Sequence, residues 1–268
     1  MKNNIPDFIC GTAWKKEGTT NLVKLALQSG FRAIDSANQM KHYSEVLVGE
    51  ALLASGIARE KIWLQSKFTS IDGQDHRLPY DPKANLATQV AQSFASSLKN
   101  LHTDYLDSYL LHGPYNYPLL GEEDVEVWAA IEELYESGKA KMIGISNTNL
   151  KQLEMLFESS SIKPHFVQNR CYANRDWDEG VRNFCQENQI HYQGFSLLTA
   201  NPQIVQSLAV ADLAEKYRVE PAQIIFRFSQ QIGIIPLTGT SDEEHMKADL
   251  AISDFELLSE EVRLIKKL

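Results

Sequence analysis

Residues 107–147 read DSYLLHGPYNYPLLGEEDVEVWAAIEELYESGKAKMIGISN, and their pattern decides the fold. Asp107 to His112 is a short apolar run with a polar end, and Met142 to Asn147 is another. Between them Val125, Trp128, Ile131 and Leu134 recur at three-residue steps, with Glu126, Glu132, Glu133 and Glu136 among them and Gly138 as a stop. That period predicts an amphipathic helix from Asp124 to Ser137, flanked by two strands.

The same alternation runs the length of the chain. Further strand-like runs are Phe8 to Ala13, Phe31 to Ser36, Ile62 to Lys67, His165 to Gln168, His191 to Ser196 and Gly233 to Thr238, which brings the total to eight. Helical segments are expected over Thr20 to Ser29, Ser44 to Ser55, Lys83 to Leu101, Asp178 to Asn188, Gln203 to Tyr217 with Pro221 to Gln231, and Asp242 to Ile252. Asn149 precedes Leu150, Leu153 and Leu156, with Gln152 at the capping-box offset. Eight strand-helix units whose apolar strands are buried on both sides predict an α/β protein, a (β/α)8 TIM barrel with a short N-terminal segment and a short C-terminal tail. A doubly wound sheet would bring G-x-G-x-x-G after its first strand, and no such motif occurs. No linker or low-complexity tract divides the chain, so residues 1–268 are read as one domain.

Composition narrows the function. The chain carries 26 Lys and Arg against 35 Asp and Glu, a net charge of −9, which argues against a general nucleic-acid binder. Cys10, Cys171 and Cys185 form no C-x-x-C pair, as expected in a reducing compartment. Neither a signal peptide nor an apolar run of the roughly 20 residues that span a membrane is visible, so a cytoplasmic protein without a membrane partner is expected. The seven histidines are never spaced H-x-H, so no metal site is expected.

In a barrel, function sits at the C-terminal strand ends. Here those ends are polar: Thr12 and Trp14, Asp35, Lys67, His112, Ser146 and Asn147, Gln168, Phe195 and Ser196, and Thr238. Singly each has an ordinary reading as a turn or cap residue, but placed together on one rim they point to a site.

These residues also carry a resemblance. Gly11-Thr12-Ala13-Trp14-Lys15, GFRAIDSA (30–37), SEVLVGEAL (44–52), REKIWLQSKF (59–68), SLKNLHTDYLDSYLLHGP (97–114), GKAKMIGISN (138–147), VQN (167–169), GFSLL (194–198) and IPLTGT (235–240) follow one another as in the aldo-keto reductase family, which the chain resembles over nearly its whole length. The resemblance implies reduction of aldehydes or ketones to alcohols by hydride transfer from NADPH, with NADH as a possible substitute. It implies Tyr43 as proton donor, Lys67 as the cation that lowers the phenol's pKa, Asp35 as the partner of Lys67, and His112 as the group that orients the carbonyl. A phenol with pKa near 10 is a poor acid or base at neutral pH until its surroundings adjust it.

For the cofactor, the resemblance implies Ser146, Asn147 and Gln168 on the nicotinamide carboxamide and Phe195 stacked on its ring. Thr12, Ser196, Leu198, Thr238, Gly239, Thr240, His245 and Asp249 are its further expected contacts. Trp14, Tyr115 and Tyr117, and with them Trp177, are expected around a small-molecule carbonyl substrate. A monomer or weak oligomer is expected.

Two departures stand out. The family motif D-T-A-x-x-Y-x-N-E becomes Asp35-Ser36-Ala37 followed by Asn38-Gln39-Met40-Lys41-His42-Tyr43-Ser44-Glu45, so counting back from Glu45 puts His42 opposite the family tyrosine. Tyr43 is chosen because it is the only phenol in the segment; an imidazole is the alternative donor. Leu237 and His245 stand where NADP-preferring members often carry Lys and Arg, so weaker discrimination between NADP and NAD is expected. A non-catalytic, nicotinamide-binding regulatory subunit is the alternative function.

Overall fold

A computed structural model describes residues 5–268. Eight strands close into a parallel barrel in sequence order. They are β1 (Ile9–Gly11), β2 (Ala33–Asp35), β3 (Trp63–Phe68), β4 (Ser108–Leu111), β5 (Ile143–Ser146), β6 (Phe166–Arg170), β7 (His191–Phe195) and β8 (Ile234–Thr238). Each coincides with one of the eight apolar runs. The barrel closes through β1 and β8, where Ile9 pairs with Leu237 and Cys10 with Thr238.

Around it lie α1 (Thr19–Ser29), α2 (Glu45–Ser55), α3 (Leu86–Asn100), α4 (Glu122–Glu136), α5 (Leu150–Ser159), α6 (Glu179–Glu187), α7 (Pro202–Val205), α8 (Leu208–Tyr217), α9 (Pro221–Gln231), α10 (Glu243–Leu250) and α11 (Ser259–Lys266). Local chemistry sets their ends. Asn149 and Gln152 exchange side-chain and backbone hydrogen bonds of 2.9 and 3.0 Å, the reciprocal cap expected for α5. Helix α4 starts two residues before the expected Asp124, whose carboxylate instead reaches back to the Gly121 and Tyr115 amides and ties down the loop after β4. The expected short tail contains α11, where Ile265 is buried and Glu261 accepts from Lys216 and Tyr217 at 2.5 and 2.6 Å.

Alternation along the strands divides the barrel interior into layers. Ile9, Ala33, Trp63, Leu110, Met142, Phe166 and Leu237 form an apolar cluster inside the barrel, separate from the larger core between strands and helices. Two residues further along β2, β3 and β6 the inward positions are Asp35, Gln65 and Gln168, all buried. The apolar plug therefore excludes water below a polar layer. Gly144 lets β5 and β6 approach, since a Cβ there would lie 2.3 Å from the Phe166 carbonyl oxygen.

Among the described residues no helix is long and apolar enough to cross a membrane.

Candidate active site

Asp35 ends β2 and Lys67 lies near the end of β3, where the barrel brings them together. The Lys67 ammonium, with 0 % of its side chain exposed, donates to Asp35 Oδ1 and Oδ2 at 2.7 Å each and to the Ser36 carbonyl at 2.8 Å. Burial draws the Lys67 pKa down, against the opposing pull of Asp35. A buried ion pair survives only when well hydrogen-bonded, and this one is.

Tyr43 sits on the loop between β2 and α2. Its ring centroid is 5.2 Å from Lys67 Nζ and 5.8 Å from the His112 ring, which it meets edge-on. His42 stacks on Trp14, with ring centroids 3.6 Å apart. Asp35, Tyr43 and His112 all line one cavity, and His42 is not among its lining residues. The tyrosine loop is stitched to the loop after β3: Gln39 donates to the Gly73 carbonyl at 2.7 Å and Gln74 to the Asn38 carbonyl at 2.8 Å. These bonds hold a longer loop in place and set Tyr43 inward.

Burial dominates the electrostatics of the two groups that face each other here, Tyr43 and His112. Burial pushes the Tyr43 phenol well above its ordinary pKa, and the Asp35 charge pushes the same way. The phenol stays protonated. His112 is drawn down to about 3, first by burial and then by Lys67, so its ring is neutral at physiological pH. Its Nδ1 lies 2.7 Å from the hydroxyl of Thr69. Thr69 is held in turn by its own carbonyl, which accepts from Tyr80 at 2.9 Å. Sequence reasoning missed Thr69, whose only signal is a hydroxyl just beyond β3.

The cavity, of about 510 Å³, gathers many of the expected residues. Trp14, Ser146, Asn147, Gln168, Phe195, Ser196, Leu198, Thr238, Gly239, Thr240 and His245 line it together with the groups above. Asn147 adopts a left-handed backbone with φ of 54° and donates to the His112 carbonyl at 2.8 Å and to Ser146 Oγ at 3.1 Å. Ser146 Oγ donates to the Gln168 carbonyl at 2.7 Å.

Other expected residues lie elsewhere. Thr12 is buried beneath the rim, bonding the Asp35 carbonyl through both its amide and its hydroxyl. Asp249 is buried, and burial raises its carboxyl to about 6 against the opposing pull of the Thr238 hydroxyl. Tyr115 packs against the core and Tyr117 is 85 % exposed; neither lines the cavity. Trp177 belongs to the core, packed edge-on to Phe228 at 4.9 Å, and is not among the residues that line the cavity.

Lys15, not singled out from the sequence, lines the cavity near Gly239, where an added Cβ would lie 3.9 Å from its ammonium. Lys247 instead bonds Glu243 and Glu244 at 2.8 and 3.0 Å. Among the described residues no group of three or more His, Cys, Asp or Glu could hold a metal ion.

The chain and its closed parallel barrel match known proteins. The model of the Aldo/keto reductase family matches residues 9–202. The chain belongs to this family. It is 32% identical over 268 residues to an uncharacterized oxidoreductase, YtbE, of Bacillus subtilis, covering 98% of this chain and 89% of the relative. Glyoxal reductase of the same organism is 31% identical over 249 residues, covering 93% and 83%. Among solved structures, an aldo-keto reductase enzyme from a Medee basin deep-sea metagenome library superposes with a TM-score of 0.85 at 28% identity, covering 98% of this chain and 91% of that one. General oxidoreductase character goes with membership of the aldo/keto reductase family.

Proposed function

We propose that this protein reduces aldehydes or ketones to alcohols with a nicotinamide cofactor, NADPH or NADH, and that Tyr43 donates the proton. One observation carries the reading: Tyr43, rather than His42, faces His112 and the Lys67-Asp35 pair across the cavity. Burial keeps the phenol protonated, so it has a proton to give, and the nearby cation must stabilise the phenolate for that proton to leave.

Each residue then has a task. With Thr69 donating to Nδ1, His112 keeps its proton on Nε2 and offers it to the carbonyl oxygen. Tyr43 passes its proton to the same oxygen as negative charge develops there. The phenolate left behind is stabilised by the Lys67 ammonium, which Asp35 holds in place. The cofactor, when bound, supplies the hydride.

The cavity fits that cofactor. Gln168 presents an amide oxygen with no protein donor, and Asn147 a second polar group, where a carboxamide would need partners. Phe195 offers an aromatic face. Backbone around Ser196, Leu198, Gly239 and Thr240 would meet the phosphates. The N-terminus of α10 is already capped by Asp242, which accepts from the His245 amide at 3.0 Å, and carries Glu243 and Glu244. That leaves Lys15 as the cation at the phosphate end and supports weak discrimination between NADPH and NADH.

Cofactor oxidation with a panel of aldehydes, glyoxal among them, tests the reading. Turnover is expected with both cofactors and affinities within about tenfold, or about 1.4 kcal/mol. Tight cofactor binding without turnover on any carbonyl would instead favour a regulatory cofactor-binding protein.

A further inference from the structure

Two fully buried side chains under the cavity floor have no part in the mechanism above: Gln65 on β3 and Gln193 on β7. In register, Asp35 pairs with Gln65 and Gln168 with Gln193, so two strand pairs on different parts of the barrel wall point amides and a carboxylate at one another. Gln65 Nε2 donates to Asp35 Oδ1 at 2.6 Å and to Gln193 Oε1 at 2.9 Å. Gln193 Nε2 returns a bond to Gln65 Oε1 at 3.1 Å, closing an amide dimer across the barrel. Gln168 Nε2 donates to Asp35 Oδ1 at 3.2 Å and to Gln193 Oε1 at 2.8 Å.

The chemistry of Asp35 fixes the orientation of all three amides. An ionised carboxylate only accepts, so Gln65 and Gln168 must turn their nitrogens toward it. Both protons of each nitrogen are then used, one on Asp35 and one on Gln193. The one amide oxygen of the three left without a donor is Gln168 Oε1, and Gln168 lines the cavity.

We infer that Gln65 and Gln193 are positioning residues that lock the Gln168 amide with its oxygen toward the cavity, so that the site selects a pyridine ring bearing a primary carboxamide. The N–H of that carboxamide donates to Gln168 Oε1. Without Gln193 the Gln168 amide keeps only its bond to Asp35 and turns more freely, so its oxygen is held toward the cavity less strictly. The inference rests on the nicotinamide reading of the cavity.

The test compares binding of NADP⁺ and its 3-acetylpyridine analogue, in which a methyl ketone replaces the amide and has no N–H to give. Protein fluorescence quenching reads both. Wild type is expected to favour NADP⁺ by about tenfold, one well-made hydrogen bond, and Gln193→Met to reduce that ratio to about twofold. Affinity for 2′-phospho-ADP-ribose, which lacks the ring, is expected to stay unchanged and so shows that the variant is folded. If Gln193→Met does not fold, Gln65→Met, which frees one side of Gln193, is expected to lower the ratio by about threefold. A ratio unchanged in the folded variant, or a wild type with no preference, overturns the inference while leaving cofactor binding intact. A wild type that binds neither dinucleotide overturns the reading of the cavity and the inference with it.

Discussion

Replacing Lys67 by Met removes the cation but keeps most of the volume of a fully buried side chain. Three hydrogen bonds disappear, and Asp35 Oδ2 loses the donor it has, while Oδ1 keeps Gln65 and Gln168. Removing one partner of a buried pair costs about 3–5 kcal/mol when the other charge stays. The carboxyl has an escape, which is to take up a proton. An aspartate in the unfolded chain titrates near 3.9, so keeping one protonated at pH 7 costs about 4 kcal/mol and at pH 5 about 1.5 kcal/mol. The native variant then binds more protons than its unfolded state, so its stability rises as pH falls from 7 toward 4. Urea denaturation at the two pH values, with the slope unchanged, reads this directly. Lys67→Met is expected to be destabilised by about 4 kcal/mol at pH 7 and by less than half of that at pH 5. Adding Asp35→Asn should recover most of the loss at pH 7. A loss equal at both pH values, or under about 1 kcal/mol at pH 7, would refute the picture of a water-excluded pair.

Other substitutions probe the surrounding structure. Thr69→Val leaves His112 Nδ1 without its partner and lets the ring turn, so kcat/KM is expected to fall about tenfold with cofactor affinity unchanged, measured by steady-state kinetics beside a binding titration. Asp249 is raised to about 6, so its native carboxyl holds a proton that the unfolded chain has released, and stability is lost as pH rises from about 4 to about 6. Asp249→Asn should therefore stabilise above pH 6 by up to about 3 kcal/mol and have little effect at pH 4, as urea midpoints will show. Gly144→Ala would place a Cβ 2.3 Å from a backbone oxygen and 2.8 Å from Leu110 Cδ2, and is expected to lower stability by about 1–3 kcal/mol in the same assay.

The barrel was legible because apolar strands and amphipathic helices carry different periods, and all eight strands followed from them. Helix α11 escaped because Val262 and Ile265 make a short apolar stripe among charges, and what fixes it is the distant contact of Glu261 with Lys216 and Tyr217. At the site, polar strand ends were visible one by one, but what lies between strands was not. Gln65 stands two residues before Lys67 and Gln193 two before Phe195, so each shares a face with a site residue, a signal that the period of two contains. Lys15 has no sequence signal of its own, and it is the turn at Trp14 and Lys16, with positive φ of 64° and 47°, that accompanies its place at the cavity. Trp177 reads as a loop aromatic, yet positive φ at Asp176, Trp177 and Asp178 accompanies a ring buried in the core.

The central claim is that Tyr43, although displaced in the motif, is the proton donor, and that His42 belongs to an aromatic stack. Aldehyde reduction by Tyr43→Phe and His42→Phe, measured side by side at saturating cofactor, tests it most directly. Tyr43→Phe is expected to lose about 10²–10⁴-fold in kcat with cofactor affinity kept, and His42→Phe to stay within about threefold of wild type. Turnover retained by Tyr43→Phe and lost in His42→Phe would contradict the account and move the proton to the imidazole.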